Sequence, residues 1–597
     1  MKKYVHPSEL TKEFDSNSFK GMKITFVNMP LRESAAPNVP PEGPAILAAI
    51  CRMYGAEPYI LDLNAYRIKD ELADNQGLPN GRYLTLRECE DLILRHLSLE
   101  GDQDVIAFSG MITTLKWQEE IAKIVRKHLP DTFIVSGNGL ATEIRRGLFK
   151  WIPELDAIAR SEGDDVILAI LKDARAIRES GARNAHNQGK LSKYCLGEID
   201  GMIRFQYDGD RPKDLNAIPY PEFSLLESDP YGHNILEDYI NIPVWGLAAN
   251  NSSATSFNMK RSLTSVSSRG CPYACAFCYR GAQGERNYGM RSSEHIAKQI
   301  REYVDHYDLD FIGFPDDNFA VDKRRIKKMV PVFKEYGLDQ VRWGTHTRMD
   351  EADARLEPMA ESGCVYIGFG AESASDRVLK FMNKGGFILR NGMETIKVNG
   401  TNYDFPKTMT NAIRNCHETG IHPNCTWIMG YPGEELSDLK TSVAFILWQQ
   451  EYWSSFHPKG TEEHKNALAA VNRKMFTATA YPGTAMWDAV HPHRGHRHRA
   501  RRRRAARAAL RVSAQPAAQG VPLARAAAIR LATPPQLICL AWLASFSGLR
   551  QKSLSWRVAA RVEAVGRREV GGGSGGDGGR VTGVAARAAT GIEEAHF

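Results

Sequence analysis

Short apolar runs alternate with longer amphipathic stretches through the first third of the chain. Ile24–Asn28, Pro58–Asp62, Val105–Ser109, Phe133–Ser136 and Ala157–Ala159 read as strands. Between them, apolar positions recur three and four apart over Gly43–Tyr54, Thr85–Leu97, Leu115–His128 and Thr142–Lys150, and again from Asp164, which predicts helices. Strands that alternate with helices imply a parallel sheet covered on both faces. The expectation is a doubly wound α/β domain over residues 22–175, after a polar lead-in at 1–21. Ligands of such sheets sit at the carboxyl ends of the strands.

Residues 176–258 are mixed and turn-rich and are expected to form a linker. Within it, the prolines of Leu215–Leu226 favour extended backbone and suit a strap. From residue 259 to 490 the alternation resumes, with a helix over Ser292–His306 and strands at Phe311–Phe314, Val341–Arg348, Val365–Ser373 and Trp427–Met429. Lys384–Met409 is longer than an ordinary connection and reads as an ordered excursion near a substrate pocket.

At His491 the composition turns abruptly to Arg, Ala and Gly, and Lys552 is the one lysine left. This tail, 491–597, holds 19 Lys or Arg against 5 Asp or Glu, so residues 1–490 hold 58 against 65. The net charge of +7 therefore comes from the tail, and the mildly acidic body gives no reason to expect nucleic acid. Two readings of the tail are open: a disordered basic arm, or out-of-frame translation of a GC-rich stretch. The sequence has no run of about 18 apolar residues for a membrane span, no signal peptide is expected, and ten scattered cysteines make no disulfide scaffold.

Candidate chemistry centres on Cys271, Cys275 and Cys278, a C-x3-C-x2-C array after an apolar, β-prone run. Three thiolates on one loop can hold three corners of a cubane iron–sulfur cluster. The next cysteine downstream is Cys364, so the fourth iron is expected to be open to a substrate. A zinc knuckle would need a fourth Cys or His at short spacing, and the nearest downstream histidine is His295.

The array, with Phe277 before its last cysteine, resembles the radical S-adenosylmethionine (SAM) enzymes. The resemblance implies a [4Fe–4S] cluster whose open iron binds SAM, reductive cleavage to a 5′-deoxyadenosyl radical, and a partial (β/α)6 TIM-like barrel. Asp316 and Asp317, after Phe311–Phe314, would accept from the SAM amino group, although helix capping also explains them. Arg348 would meet the SAM carboxylate or be a surface ion pair. Glu372, in Gly-Ala-Glu-Ser, would bond the ribose or amino group, and the backbone at Gly430-Tyr-Pro-Gly would cradle adenine.

Upstream, Ser109-Gly-Met111-Ile-Thr113 and Ser136-Gly137-Asn-Gly139 resemble strand-end elements of cobalamin-binding domains, as does Ser161-Glu-Gly-Asp164. Glycines there admit a flat, bulky ligand, and a hydroxyl can bond a nucleotide tail. The loop Asn28–Gly43 lacks the histidine that ligates cobalt from below in that family. An ordinary doubly wound domain with glycine turns remains open.

The resemblance covers roughly 22–485 and implies a flavodoxin-like cobalamin-binding-type domain before a radical SAM core. The implied activity is a cobalamin-dependent radical SAM enzyme, with methyl transfer to an unactivated carbon or phosphinate phosphorus of a small molecule. Ring rearrangement or cyclisation and a cobalamin-free enzyme are the alternatives. A methylthiotransferase would need a second cluster, for which Cys51, Cys89 and Cys195 lack the spacing. A non-catalytic iron–sulfur protein that binds nucleic acid through the tail is a further alternative. The expected partners are a small-molecule substrate and an external flavodoxin- or ferredoxin-type electron donor, and the expected compartment is the cytoplasm or an organelle matrix.

Overall fold

A computed structural model describes residues 13–30, 39–66, 84–180, 191–241, 259–279, 288–471, 473 and 475–490. The basic tail, residues 1–12 and residues 31–38 of the loop after the first strand lie outside the described residues. Among the described residues, no helix is long and apolar enough to cross a membrane.

The first sheet has seven strands: β1 (Lys23–Asn28), β2 (Glu57–Asp62), β3 (Val105–Ser109), β4 (Phe133–Gly137), β5 (Ala157–Ser161), β6 (Cys195–Ile199) and β7 (Met202–Gly209). Their order is β2-β1-β3-β4-β5-β7-β6, all parallel except β6, which runs antiparallel to β7. The strand order reverses between β1 and β3, and a sheet of this order takes its ligand at that switch point. Ile24, Phe26, Val105, Phe133 and Val135 pack beneath one helical layer, while Val27, Ile106, Phe108 and Ile134 pack beneath the other. Burial on both faces explains why the strands read as near-continuous apolar runs.

Two expectations are corrected here. The segment expected as a linker, 176–258, supplies β6 and β7 to this sheet, joined by a tight turn at Asp200 (φ 53°) and Gly201 (φ 78°). The helix expected from Thr142 starts at Asn138 instead, directly off β4. It breaks at Arg145, whose φ is 59°, and resumes over Leu148–Trp151.

The second sheet contains β8 (Ser262–Thr264), β11 (Phe311–Phe314), β12 (Arg342–Thr347), β13 (Cys364–Glu372), β16 (His422–Met429) and β17 (Met475–Thr477). It is six-stranded and parallel, with spatial order β17-β16-β13-β12-β11-β8. The short strands β9 (Ser268–Arg269) and β10 (Gly289–Met290) pair beside it. Helices Ser293–Tyr307, Lys323–Glu335, Lys407–Thr419 and Leu436–Ser454 lie between successive strands, and this is the parallel half-barrel expected from the sequence.

Asp322 caps the second of these helices and Ser292 the first, each through its side-chain oxygen. Trp427 packs on Phe445 of the last helix, so Asn424 and Thr426 face the concave side of the sheet. The excursion folds into a hairpin, β14 (Met393–Val398) and β15 (Thr401–Pro406), a two-stranded sheet of its own.

Candidate active site

The three cysteines follow β9, and their loop is held by backbone contacts on both sides. Ala276 N donates to Met382 O at 2.8 Å, and Met486 N donates to Ala276 O at 2.8 Å. Tyr273 Oη donates to Glu351 Oε1 at 2.9 Å, and Asn383 Nδ2 donates to Ala274 O at 2.7 Å. Phe277 joins the apolar cluster of Val378, Met382, Tyr431 and Met486 and anchors the loop between the cysteines.

Cys271 and Cys275 are half-buried, and Cys278 is exposed at the rim. Surrounding protein pushes the Cys271 thiol up to about 11 and Cys278 up to about 12, and the neighbouring Cys275 adds to both. Iron must therefore displace protons from these groups on binding. Among the described residues, no three Cys, His, Asp or Glu side chains converge on a point that would hold one metal ion. A polynuclear cluster takes one thiolate on each iron, and three cysteines on one pinned loop fit that demand.

The residues expected around SAM divide. Asp316 is buried and spent: it accepts from Ser267 N at 2.8 Å, Ser267 Oγ at 2.5 Å and Ser268 Oγ at 2.6 Å. It therefore fixes the approach to the cysteine loop rather than offering a free acceptor. Asp317 is exposed and accepts from the backbone of Gly270, the residue before Cys271, which places it on the cysteine side. Asn318 accepts from Thr347 Oγ1 at 2.7 Å.

Arg348 is not a surface ion pair. It is 7% exposed, bonds Asp350 Oδ1 through Nε at 2.9 Å, and stacks 4.0 Å above the Tyr273 ring. Its Nη1 lies 3.5 Å from Cys275 Sγ, so its charge is directed at the cysteines. Glu372 ends β13 with φ 62°, an uncommon backbone for a non-glycine residue that recurs at functional sites. Its Oε1 lies 2.9 Å from Lys384 Nζ, and both side chains are buried. Gly430 turns the chain after β16 with φ 75°.

Sequence reasoning passed over Lys384, Asn383, Tyr273 and Glu351. Lys384 and Asn383 lie in or beside the excursion, where no periodicity marks them. Tyr273, between two of the cysteines, was the available signal.

The strand ends of the first sheet come to the same loop. Ser109 and Gly137 are partners across β3 and β4, and Asn138 Nδ2 donates to Ser109 Oγ at 3.4 Å. Met111 and Thr113 are exposed beside them. A Cβ on Gly139 would lie 3.5 Å from Met111 Sδ and 3.7 Å from the hydroxyl of Tyr279, the residue after Cys278. Tyr279 bonds Glu143 and Thr142 in turn. Gly139 is buried against Met111 and Tyr279, while the side chains of Met111 and Thr113 are exposed at the strand ends. Glu162 and Asp164 of the third strand-end element bind Arg269 at 3.0 and 2.7 Å and join the sheet to the cysteine loop.

Residues 265–446 match the model of the radical SAM superfamily. The chain is 24% identical over 479 residues to an uncharacterized methyltransferase of Pyrococcus horikoshii, covering 79% of this chain and 83% of the relative. It is 24% identical over 435 residues to the cytidylyl-2-hydroxyethylphosphonate methyltransferase of Streptomyces wedmorensis, covering 68% and 72%. The solved structure of the cobalamin-dependent SAM radical enzyme OxsB, with aqua-cobalamin and SAM bound, shares its fold at a TM-score of 0.53 and 17% identity. That match covers 79% of this chain, which spans 61% of OxsB. Residues 265–446 are thus similar to the radical SAM superfamily, and the fold, an α/β domain followed by a parallel half-barrel, is shared with OxsB.

Proposed function

We propose that this chain is a cobalamin-dependent methyltransferase that works by radical SAM chemistry on a small-molecule acceptor. The observation that carries the reading is the meeting of two sites: Gly139, at the strand ends of the first sheet, lies against Tyr279, the residue next to Cys278. A ligand at those strand ends would lie beside whatever the cysteines hold.

Cys271, Cys275 and Cys278 would hold a [4Fe–4S] cluster, which supplies the electron that cleaves SAM. Ser109, Met111, Thr113, Gly137 and Gly139 would hold cobalamin, which supplies the methyl carrier. The protein's share is positioning and electrostatics. Arg348 places a fixed cation beside Cys275 and offsets thiolate charge. Glu372, opposite Lys384, offers a carboxylate to the hydroxyl or amino groups of SAM, and Asp317 offers a second. Gly344, Gly368 and Gly370 leave room for the side chains of Phe311, His346 and Glu372, and so help to set where Glu372 lies. An external donor supplies the electron, and an oxygen-sensitive cluster places the enzyme in a reducing compartment such as the cytoplasm.

The test is anaerobic reconstitution of the full chain with iron, sulfide and hydroxocobalamin. Desalting, an absorption spectrum and a 5′-deoxyadenosine assay with SAM and a reductant follow. Corrin that stays bound, with SAM cleavage lost in Cys275→Ala, is the expected result. Cleavage without retained corrin would favour the cobalamin-free enzyme, and an intact cluster that cleaves no SAM would overturn the proposal.

A further inference from the structure

Three consecutive residues, Met382-Asn383-Lys384, touch the candidate site at three points. The Met382 carbonyl accepts from Ala276 N at 2.8 Å, and the Asn383 side chain donates to the Ala274 carbonyl at 2.7 Å. Lys384 Nζ lies 2.9 Å from Glu372 Oε1 and also donates to the Gly370 carbonyl. Ala274 and Ala276 flank Cys275, so the backbone on either side of the middle cysteine is tied to the segment that holds Glu372. Phe387 reinforces the contact by packing edge-on against Tyr273, with ring centroids 5.4 Å apart.

The local backbone is built for this. Asn383 has φ 53°, a left-handed conformation that asparagine adopts more readily than most residues. It lets the chain leave the helix Asp376–Phe381 and enter Gly385–Ile388 with the amide turned toward the cysteine loop.

We infer that Met382-Asn383-Lys384 is a latch that fixes the spacing of the cysteine loop and registers it with Glu372. Asn383 is a positioning residue: it acts on the cluster through the Ala274 carbonyl and does not touch iron or SAM. The inference rests on the cluster reading above. Groups that orient metal ligands from one shell out typically contribute about 10- to 100-fold to metal retention, and this contact is of that kind.

Asn383 is exposed, so it can be changed without opening the core. Asn383→Gly keeps the left-handed backbone and removes the donor. Asn383→Asp keeps both the backbone preference and the size, but sets a carboxylate against a carbonyl oxygen.

In the test, the full chain and both variants are reconstituted anaerobically and challenged with an iron chelator while cluster absorption is followed. The melting temperature of the cluster-free proteins is recorded alongside. The reduced cluster is also examined by electron paramagnetic resonance with and without SAM. The expected result is cluster loss about tenfold faster in the variants, a heterogeneous resonance with SAM, and an unchanged melting temperature. If Asn383→Gly alone lowers the melting temperature, Asn383→Asp decides. Wild-type release rates in both variants would overturn the latch and leave the cluster reading standing. A wild-type chain that takes up no cluster would overturn both.

Discussion

Lys384 and Glu372 show how one unmarked residue decides what a marked one can do. Glu372 is 8% exposed and Lys384 5% exposed, so neither charge is stable there without the other. Removing one member of a buried pair leaves the survivor uncompensated, at a cost of ~3–5 kcal/mol. Lys384→Met should therefore lower the urea-unfolding free energy by roughly that amount. The double change Lys384→Met with Glu372→Gln should recover most of it, because no charge is then stranded. If the double variant is no more stable than the single one, the lysine acts through its bond to the Gly370 carbonyl and not through its pairing with Glu372. Asp316 makes the complementary point: adjacent to Asp317 in sequence, it faces Ser267 and Ser268 instead of the cysteines. Alternation along an extended chain sends neighbours to opposite sides, and an Asp-Asp pair does not say which member is free.

At the scale of elements, glycines in the second sheet make room for side chains of the neighbouring strands. Gly313 pairs with Gly344 and His346 with Gly368 across neighbouring strands. A Cβ on Gly368 would lie 2.4 Å from His346 Cδ2. Gly368→Ala should cost ~1–3 kcal/mol through overpacking, read as a lower urea midpoint. The same change in a His346→Ala background should cost much less, since the clashing ring is gone. Equal costs in both backgrounds would mean that the backbone of β13, and not the ring, resists the methyl group. The central strands of this sheet and of the first were legible because both faces of each are buried and the runs are apolar, whereas the edge strands β6 and β17 were not. Nor, among the central strands, was β7, although Ile203, Phe205 and Tyr207 alternate inward. Its other face carries Arg204, which is 1% exposed, donates to the carbonyls of Leu155 and Pro153, and lies over the Phe149 ring. A buried arginine held by backbone carbonyls makes a core strand read as polar. The cysteine loop was legible because its spacing is local, whereas Asn383 and Lys384 reach it across about a hundred residues of chain that no pattern connects.

For the molecule as a whole, the junction between the first sheet and the cysteine loop rests on a few buried charges. Arg269 binds Glu162 and Asp164, and Glu42 Oε1 accepts from Val266 N at 2.8 Å. Glu42 is 8% exposed, and burial raises its pKa from 4.5 to about 7 against the pull of the Val266 amide, Arg291 and Arg269. A carboxyl with a folded pKa above its unfolded value prefers to be neutral in the native state. Its contribution to stability is full below pH 4.5 and is lost as pH rises through about 7. The span corresponds to roughly 3 kcal/mol if Glu42 titrates alone. Glu42→Gln stays neutral at every pH and keeps an acceptor for the Val266 amide. Urea-unfolding free energies of the two proteins should therefore run together at low pH and separate between pH 4.5 and 7, with the wild type falling below the variant. Parallel curves would show that Arg291 and Arg269 already hold Glu42 ionised. The junction would then be a fixed ion network, with no titration step between the first sheet and the loop that carries the cysteines.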